Sequence, residues 1–274
     1  MTHQSLVKPP LVMGIVNVTP DSFSDGGRHA TTEAALVHAL KLIDQGADVL
    51  DIGGESTRPG SDPVDEAEEI ARVAPLIAAI RARWGGRISI DTMKPAVARA
   101  AVAAGATMWN DVTALNHAPD SLATAAELGC EVVLMHMKGA PKTMQDDPRY
   151  DDVVAEVVAH LAARAEAAMA AGIAREKIWL DPGIGFAKTT AHNLTLAARL
   201  GALVDLGFPV LYAASRKRLI QGVDAAAIEA DDRLGGSLAL ALEGARRGAR
   251  MVRVHDVRET VQALKLQAAV TAVG

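Results

Sequence analysis

Cysteine is almost missing: Cys130 is the single thiol in 274 residues. One thiol cannot close an intrachain disulfide, and no paired-thiol metal motif is present. A disulfide-stapled secreted scaffold is therefore excluded, and a reducing cytoplasm is the expected compartment. Aromatic residues are scarce as well, at 3% of a chain that is 50% hydrophobic, so the core has to be built from Ala, Val, Leu and Ile. Long apolar runs are lacking. Met1 to Pro10 carries two prolines and one lysine, and the apolar stretch after it is broken by Gly14 and Asn17. Neither a signal peptide nor a membrane helix is expected. Charge of one sign does not accumulate either: the formal net charge is -5, with acidic and basic residues interspersed. That excludes the cationic field used to bind nucleic acid or anionic membranes, so a small anionic substrate needs a local pocket.

What the chain does contain is alternation. Short β-rich runs, each closed by a polar or small residue, are followed by Ala-rich stretches with helical spacing. Strands are expected at Leu11 to Val18, Val49 to Ile52, Ile88 to Asp91, Thr107 to Val112, Glu131 to Met137, Ile178 to Asp181, Val210 to Ala214 and Met251 to His255. The helices between them run Thr32 to Gln45, Asp65 to Arg83, Ala96 to Ala104, Ser121 to Leu128, Asp152 to Ala171, Ala191 to Leu200, Asp232 to Arg247 and Arg258 to Ala272. Glycines at 46, 105, 129, 172, 201 and 248 mark helix ends, where a left-handed residue closes the last turn. Eight βα units in one uninterrupted chain predict an α/β fold, a single (β/α)₈ TIM barrel spanning 1–274 with its active site at the C-terminal mouth of the strands. Alternation alone also admits a doubly wound open sheet.

The polar residues fall at the strand ends. Asn17, Asp91, Asn110, His136, Asp181, Ser215, Arg253 and His255 each sit at or beside the C-terminal end of an expected strand, as if lining one mouth. Any one of them has an ordinary explanation as a helix cap or turn anchor. Convergence of so many is the usual signature of a ligand site. The segment from Asn17 to Gly27 is a turn-rich loop with carboxylates and hydroxyls, suited to closing over a phosphorylated substrate or helping to place a hydrated magnesium ion. Gly53 to Gly60 offers backbone N–H groups, a hydroxyl and the guanidinium of Arg58, a natural anion site. Asp181 to Phe186 sets a carboxylate against a glycine turn that a flat ligand can approach closely. Arg253 and His255 alternate along the last strand and so share a face; buried there, they call for a compensating anion. His136 is read mainly as a satisfied hydrogen-bonding histidine.

NVTPDSFSDGG at 17–27, DIGGESTRPG at 51–60, SIDT at 89–92, ND at 110–111, DPGIGF at 181–186, SRK at 215–217 and RVHDV at 253–257 together resemble the dihydropteroate synthase family, in order and over essentially the whole chain. The resemblance implies condensation of 6-hydroxymethyl-7,8-dihydropterin pyrophosphate with 4-aminobenzoate, through a carbocation-like pterin shielded by the first and second loops. It assigns Asp181 to the aminopyrimidinone edge, Asp91 and Asn110 to other ring edges, and Lys217 to the carbonyl side. Thr57, Arg253 and His255 are assigned to the pyrophosphate, Asn17 to Mg²⁺, and Arg58, Pro59, Lys217 and Ser215 to the aminobenzoate. Lys217, Arg253 and His255 are the expected catalytic groups; no general base is needed for an uncharged arylamine. The implied partners are the two small molecules and a second copy of the chain, since the last two helices carry apolar faces. Arg218, after Lys217, departs from the smaller polar residue common in the family. Two alternatives share the pocket: the pterin domain of a methyltetrahydrofolate-dependent corrinoid methyltransferase, which handles no pyrophosphate, and a non-catalytic pterin-binding paralogue.

Overall fold

The computed structural model describes residues 9–18, 27–56, 63–139, 144–145 and 147–273. Eight parallel strands run β1 (Leu11–Asn17), β2 (Val49–Gly53), β3 (Arg87–Asp91), β4 (Met108–Asp111), β5 (Glu131–Met135), β6 (Ile178–Asp181), β7 (Leu211–Tyr212) and β8 (Met251–Val254). Their order in the sheet is β6-β5-β4-β3-β2-β1-β8-β7. A bridge between Leu180 and Val210 joins the two outer strands, with Leu180 N donating to Pro209 O at 3.0 Å. The sheet therefore closes on itself, which excludes the doubly wound alternative. The fold is the expected (β/α)₈ barrel.

Helices α1 (Gly27–Asp44), α2 (Glu66–Arg81), α3 (Pro95–Ala103), α4 (Ser121–Leu128), α5 (Val153–Ala170), α6 (Thr190–Ala198), α7 (Gly201–Val204), α8 (Arg218–Gln221), α9 (Leu234–Arg246) and α10 (Val257–Thr271) surround it. Local chemistry explains several starts. Asp65 caps α2 by accepting Ala67 N, with Glu66, Glu68 and Glu69 in the first turn, where carboxylates complement the helix dipole. Asp152 caps α5 through Val154 N and Ala155 N. Pro95 opens α3 at a position whose N–H has no helical partner.

Three expectations shift. Helix α1 begins at Gly27, five residues before the expected start. Strand β7 is two residues long instead of five, with Val210 contributing only its bridge. Gly201 does not close a helix; it opens α7, and Gly207, at φ +75°, follows that short turn instead.

Alternation along each strand separates two packing zones. One set of side chains packs outward on the helices, among them Val12, Leu50, Ile52, Ile88, Ile90 and Trp109. The inward set fills the lower barrel with Met13, Val49, Met108, Val133, Trp179, Leu211 and Met251. This inner plug makes the barrel solid below the site.

Candidate active site

One step of two residues further along the same inward faces, the chemistry changes. Val49 is followed by Asp51, Ser89 by Asp91, Met108 by Asn110, Trp179 by Asp181 and Met251 by Arg253. All four of Asp51, Asp91, Asn110 and Asp181 are buried. Arg253 bridges two of them: Nε donates to Asp51 Oδ2 at 2.5 Å and Nη2 to Asp91 Oδ2 at 2.7 Å. Asn110 Nδ2 donates to the same Asp51 oxygen at 3.1 Å. Among the described residues, Asp51 Oδ1 and Asp91 Oδ1 are buried without a hydrogen-bond partner.

This arrangement corrects one step of the sequence reading. Arg253 does not need a bound anion to offset its burial, because Asp51 and Asp91 supply the negative charge. Neither bond uses Nη1, so one edge of the guanidinium is turned to neither carboxylate. Burial pushes the Asp91 carboxyl well up from its ordinary range, Asp51 adding to the rise and Arg253 opposing it. Burial likewise lifts Asp181 to about 6, against the pull of the Gly183 N–H and of Lys217 and Arg253. Among the described residues, the partnerless oxygens Asp51 Oδ1 and Asp91 Oδ1 are acceptors suited to a ligand presenting N–H donors.

His255 lies just past β8, and Ser215 past β7. Ser215 Oγ accepts the His255 backbone N–H at 3.2 Å and lies 3.1 Å from His255 Nδ1. A hydroxyl that donates to Nδ1 leaves the ring proton on Nε2, and one that accepts from Nδ1–H leaves Nε2 as the acceptor. Burial, with Arg253 and Arg216 nearby, drives His255 down to about 3, so the ring is neutral. Ser215 is engaged by His255 rather than standing open at the mouth. Lys217 sits with Nζ 4.3 Å over the Phe186 ring. Between Ser215 and Lys217, Arg216 adopts φ +57°, held by a bidentate pair with Asp256 at 3.0 and 2.6 Å and by Ser237 Oγ on its backbone N–H.

Asn17 ends β1 beside this layer: a methyl group added at Gly53 would lie 3.7 Å from Asn17 Oδ1 and 3.7 Å from Asp91 Cβ. Among the described residues no group of three or more His, Cys, Asp and Glu converges as a metal site. An amide oxygen next to carboxylates still fits a hard cation such as Mg²⁺, which keeps water and phosphate oxygens for most of its shell. Thr57, Arg58 and Pro59 lie outside the described residues, as does the tip of the first loop.

His136 does not belong to the mouth. Its ring faces His160 on α5 at 5.0 Å between centroids and contacts Lys188 Nζ at 3.0 Å. The hydrogen-bonding reading of this residue was the right one. Sequence reasoning passed over Asp51, although its place two residues after Val49 on an inward face was a usable signal. It also passed over Lys188, and over the buried set in which Lys94 bonds Glu55, Glu69 Oε2 at 2.7 Å and Val64 O at 2.5 Å.

Comparison with known proteins agrees with this geometry. The family model described as "Pterin binding enzyme" matches residues 13–255. The dihydropteroate synthase of Escherichia coli (strain K12) is 48% identical over 257 residues, 94% of this chain and 90% of that protein. Among solved structures, the Xanthomonas albilineans dihydropteroate synthase with 4-aminobenzoic acid superposes with a TM-score of 0.92 at 52% identity, covering 98% of this chain and 95% of the other. The same enzyme in complex with 7,8-dihydropteroate gives 0.88 at 49% identity, covering 98% and 96%. With its barrel closed and its polar layer set at the strand ends, the chain belongs to the dihydropteroate synthase family of pterin binding enzymes.

Proposed function

We infer that this protein is a dihydropteroate synthase, joining 6-hydroxymethyl-7,8-dihydropterin pyrophosphate to 4-aminobenzoate and releasing pyrophosphate. The observation that carries the reading is the buried layer of Asp51, Asp91, Asn110, Asp181 and Arg253, sitting one step above an apolar plug in a chain 48% identical to such an enzyme. An aminopyrimidinone presents two parallel N–H donors, which one carboxylate can accept together. Asp181 takes that edge, Asp91 and Asn110 take other ring edges, and Lys217, packed on Phe186, covers the carbonyl side. The apolar plug sets the depth at which the ring stops.

In the reaction the bond between the pterin methylene carbon and the pyrophosphate oxygen breaks, and the arylamine nitrogen bonds to that carbon and loses a proton. Charge separates as the bond breaks, so electrostatic stabilisation of the leaving group is the main task. Arg253 presents its Nη1 edge, His255 its Nε2–H in the tautomer whose Nδ1 accepts from Ser215, and Thr57 its hydroxyl. Asn17 would hold a Mg²⁺ ion, which would supply further positive charge at the leaving group. Arg58, Pro59 and Lys217 hold the aminobenzoate, with Ser215 acting on this side through His255. The two long loops after β1 and β2 exclude water from the cation-like pterin.

The chain works as a homodimer in the cytoplasm. Leu266, Val270 and Val273 on and after α10 are at least 62% exposed, an apolar stripe that a second copy would cover. Light scattering at micromolar concentration should give twice 28.6 kDa; a monomer removes this part of the reading. No helix among the described residues is long and apolar enough to cross a membrane. The catalytic reading is tested by pyrophosphate release from the dihydropterin pyrophosphate with magnesium, with and without 4-aminobenzoate. Release coupled to dihydropteroate establishes it. Tight pterin binding with no product would point to a binding paralogue or a methyltransferase domain.

A further inference from the structure

Lys188 follows the glycine turn after β6, is 4% exposed and has no part in the chemistry above. Its amine reaches back beneath the turn. Nζ donates to Phe186 O at 2.9 Å and Gly183 O at 3.0 Å, and lies 3.3 Å from His136 O and 3.0 Å from His136 Nδ1. Three of these four atoms are main-chain carbonyls, which offer a buried amine acceptors on a fixed framework. Burial pushes Lys188 down to about 7, with the Asp181 carboxylate opposing, while burial and Lys188 itself drive His136 down to about 2. A neutral His136 can accept at Nδ1 from an ammonium or donate there to a neutral amine. The bonds to Gly183 and Phe186 persist in either state.

The opposite side of the same turn is the site. Gly183 N donates to Asp181 Oδ1 at 2.7 Å. Gly183 has φ +67°, and a Cβ there would stand 2.0 Å from His136 O, so the turn rests directly on the end of β5. At Gly185, φ +83°, a Cβ would stand 3.1 Å from Lys217 Cδ, and the next ring, Phe186, lies under Lys217 Nζ. Asn193 Oδ1 accepts Gly185 N at 2.8 Å, which fixes a donor of the turn. Lys188 fixes its carbonyls.

We propose that Lys188 is a positioning residue: by gathering the carbonyls of Gly183, Phe186 and His136 it fixes the turn that aims Asp181 and Lys217 at the pterin. This rests on the pterin reading above. Without the amine, Phe186 O loses this donor and Gly183 O keeps the Phe186 N–H at 3.1 Å, so the turn reorganises at its Phe186 end. The damage then falls on the pterin edge of the site before it reaches the aminobenzoate.

The test compares wild-type protein with Lys188→Met, which keeps length and loses donors, and Lys188→Gln, which keeps N–H donors. Folding is checked by thermal melting, pterin pyrophosphate affinity by calorimetry, and KM for each substrate by turnover. Loss of the hydrogen bonds behind the turn should weaken pterin binding about tenfold or more in the Met variant, leave KM for 4-aminobenzoate within about threefold, and be partly recovered by Gln. A folded Met variant that binds pterin within about twofold of wild type overturns the proposal. So do equal losses for both substrates with Gln no better than Met, which mark general loosening. If the Met variant does not fold, the Gln variant is read alone: a selective loss of pterin affinity supports the role, and wild-type affinity ends it. A wild-type protein that binds pterin but forms no dihydropteroate defeats the functional reading instead, and the calorimetric comparison still decides Lys188.

Discussion

The lower and upper halves of this barrel share the same strands and the same inward faces, yet they are chemically opposite. Below, Met13, Val49, Met108, Val133, Trp179, Leu211 and Met251 pack without a charge among them. Two residues higher, Asp51, Asp91, Asn110 and Arg253 interlock, with carboxylate oxygens left over, and Asp181 is buried in the same layer. The lower layer gains stability from burial; the upper layer gives some up to hold groups ready for a ligand. The plug is what makes that layer affordable, since it closes the barrel and fixes the strand ends. Separating the two zones experimentally is therefore informative.

The largest effect is expected at their junction. Arg253→Met strands Asp51 and Asp91 as buried carboxylates and should cost about 3–5 kcal/mol of unfolding free energy, along with pyrophosphate binding. Denaturant titration at neutral pH checks this; an unchanged midpoint would mean that the pair is not what balances the layer. Asp181→Ala removes two charge-assisted hydrogen bonds to the pterin, about 4 kcal/mol or roughly a thousandfold in affinity, while the fold stays intact. Retention of normal pterin affinity would refute the assignment of that edge.

Met108→Ala acts in the other zone. It should cost about 3 kcal/mol of stability through the cavity it leaves, with pterin affinity in the folded protein changed little. A large loss of affinity at constant stability would show that plug and site are not separable. Arg58→Ala should raise KM for 4-aminobenzoate about tenfold and alter pterin pyrophosphate binding much less, by loss of one charged contact. Equal losses would contradict the division of labour at the mouth.

The smallest expected effect is that of pH. Asp181 is held near 6 in the fold against an ordinary 3.8. Its protonated form is the one the empty fold prefers, so the stability it contributes is fully present below about 3.8 and is lost as pH rises through about 6. Ligand binding has the opposite sign, because the pterin donors need a carboxylate. Affinity should weaken as pH falls through about 6, by up to about tenfold per unit. Asp181→Asn should flatten that limb, and a pH profile that it leaves unchanged would assign the limb to Asp91, whose pKa is also raised.

Most of the barrel was legible because its signals are local. Period-two runs, Ala-rich helices and carboxylate caps such as Asp65 and Asp152 depend on neighbours a few residues away. The failures were local signals with two meanings. Gly201 can close one helix or open the next, and the stretch from Val210 to Ala214 has strand character throughout, although its pairing ends at Tyr212. At the site, polar residues at strand ends identified the mouth, but His136 is one of them and turns outward to α5.

By itself, the sequence determined the eight βα units, the mouth at which chemistry collects and, through seven motifs, the family. Closure between β6 and β7 was decided only in three dimensions, as was the pairing of Arg253 with Asp51 across 202 residues of chain. So was the place of Lys188 behind the turn that carries Asp181. The reason is physical: periodicity and caps are set by the backbone's own geometry over a few residues, whereas the partner of a buried charge is set by which strand ends the closed barrel brings together.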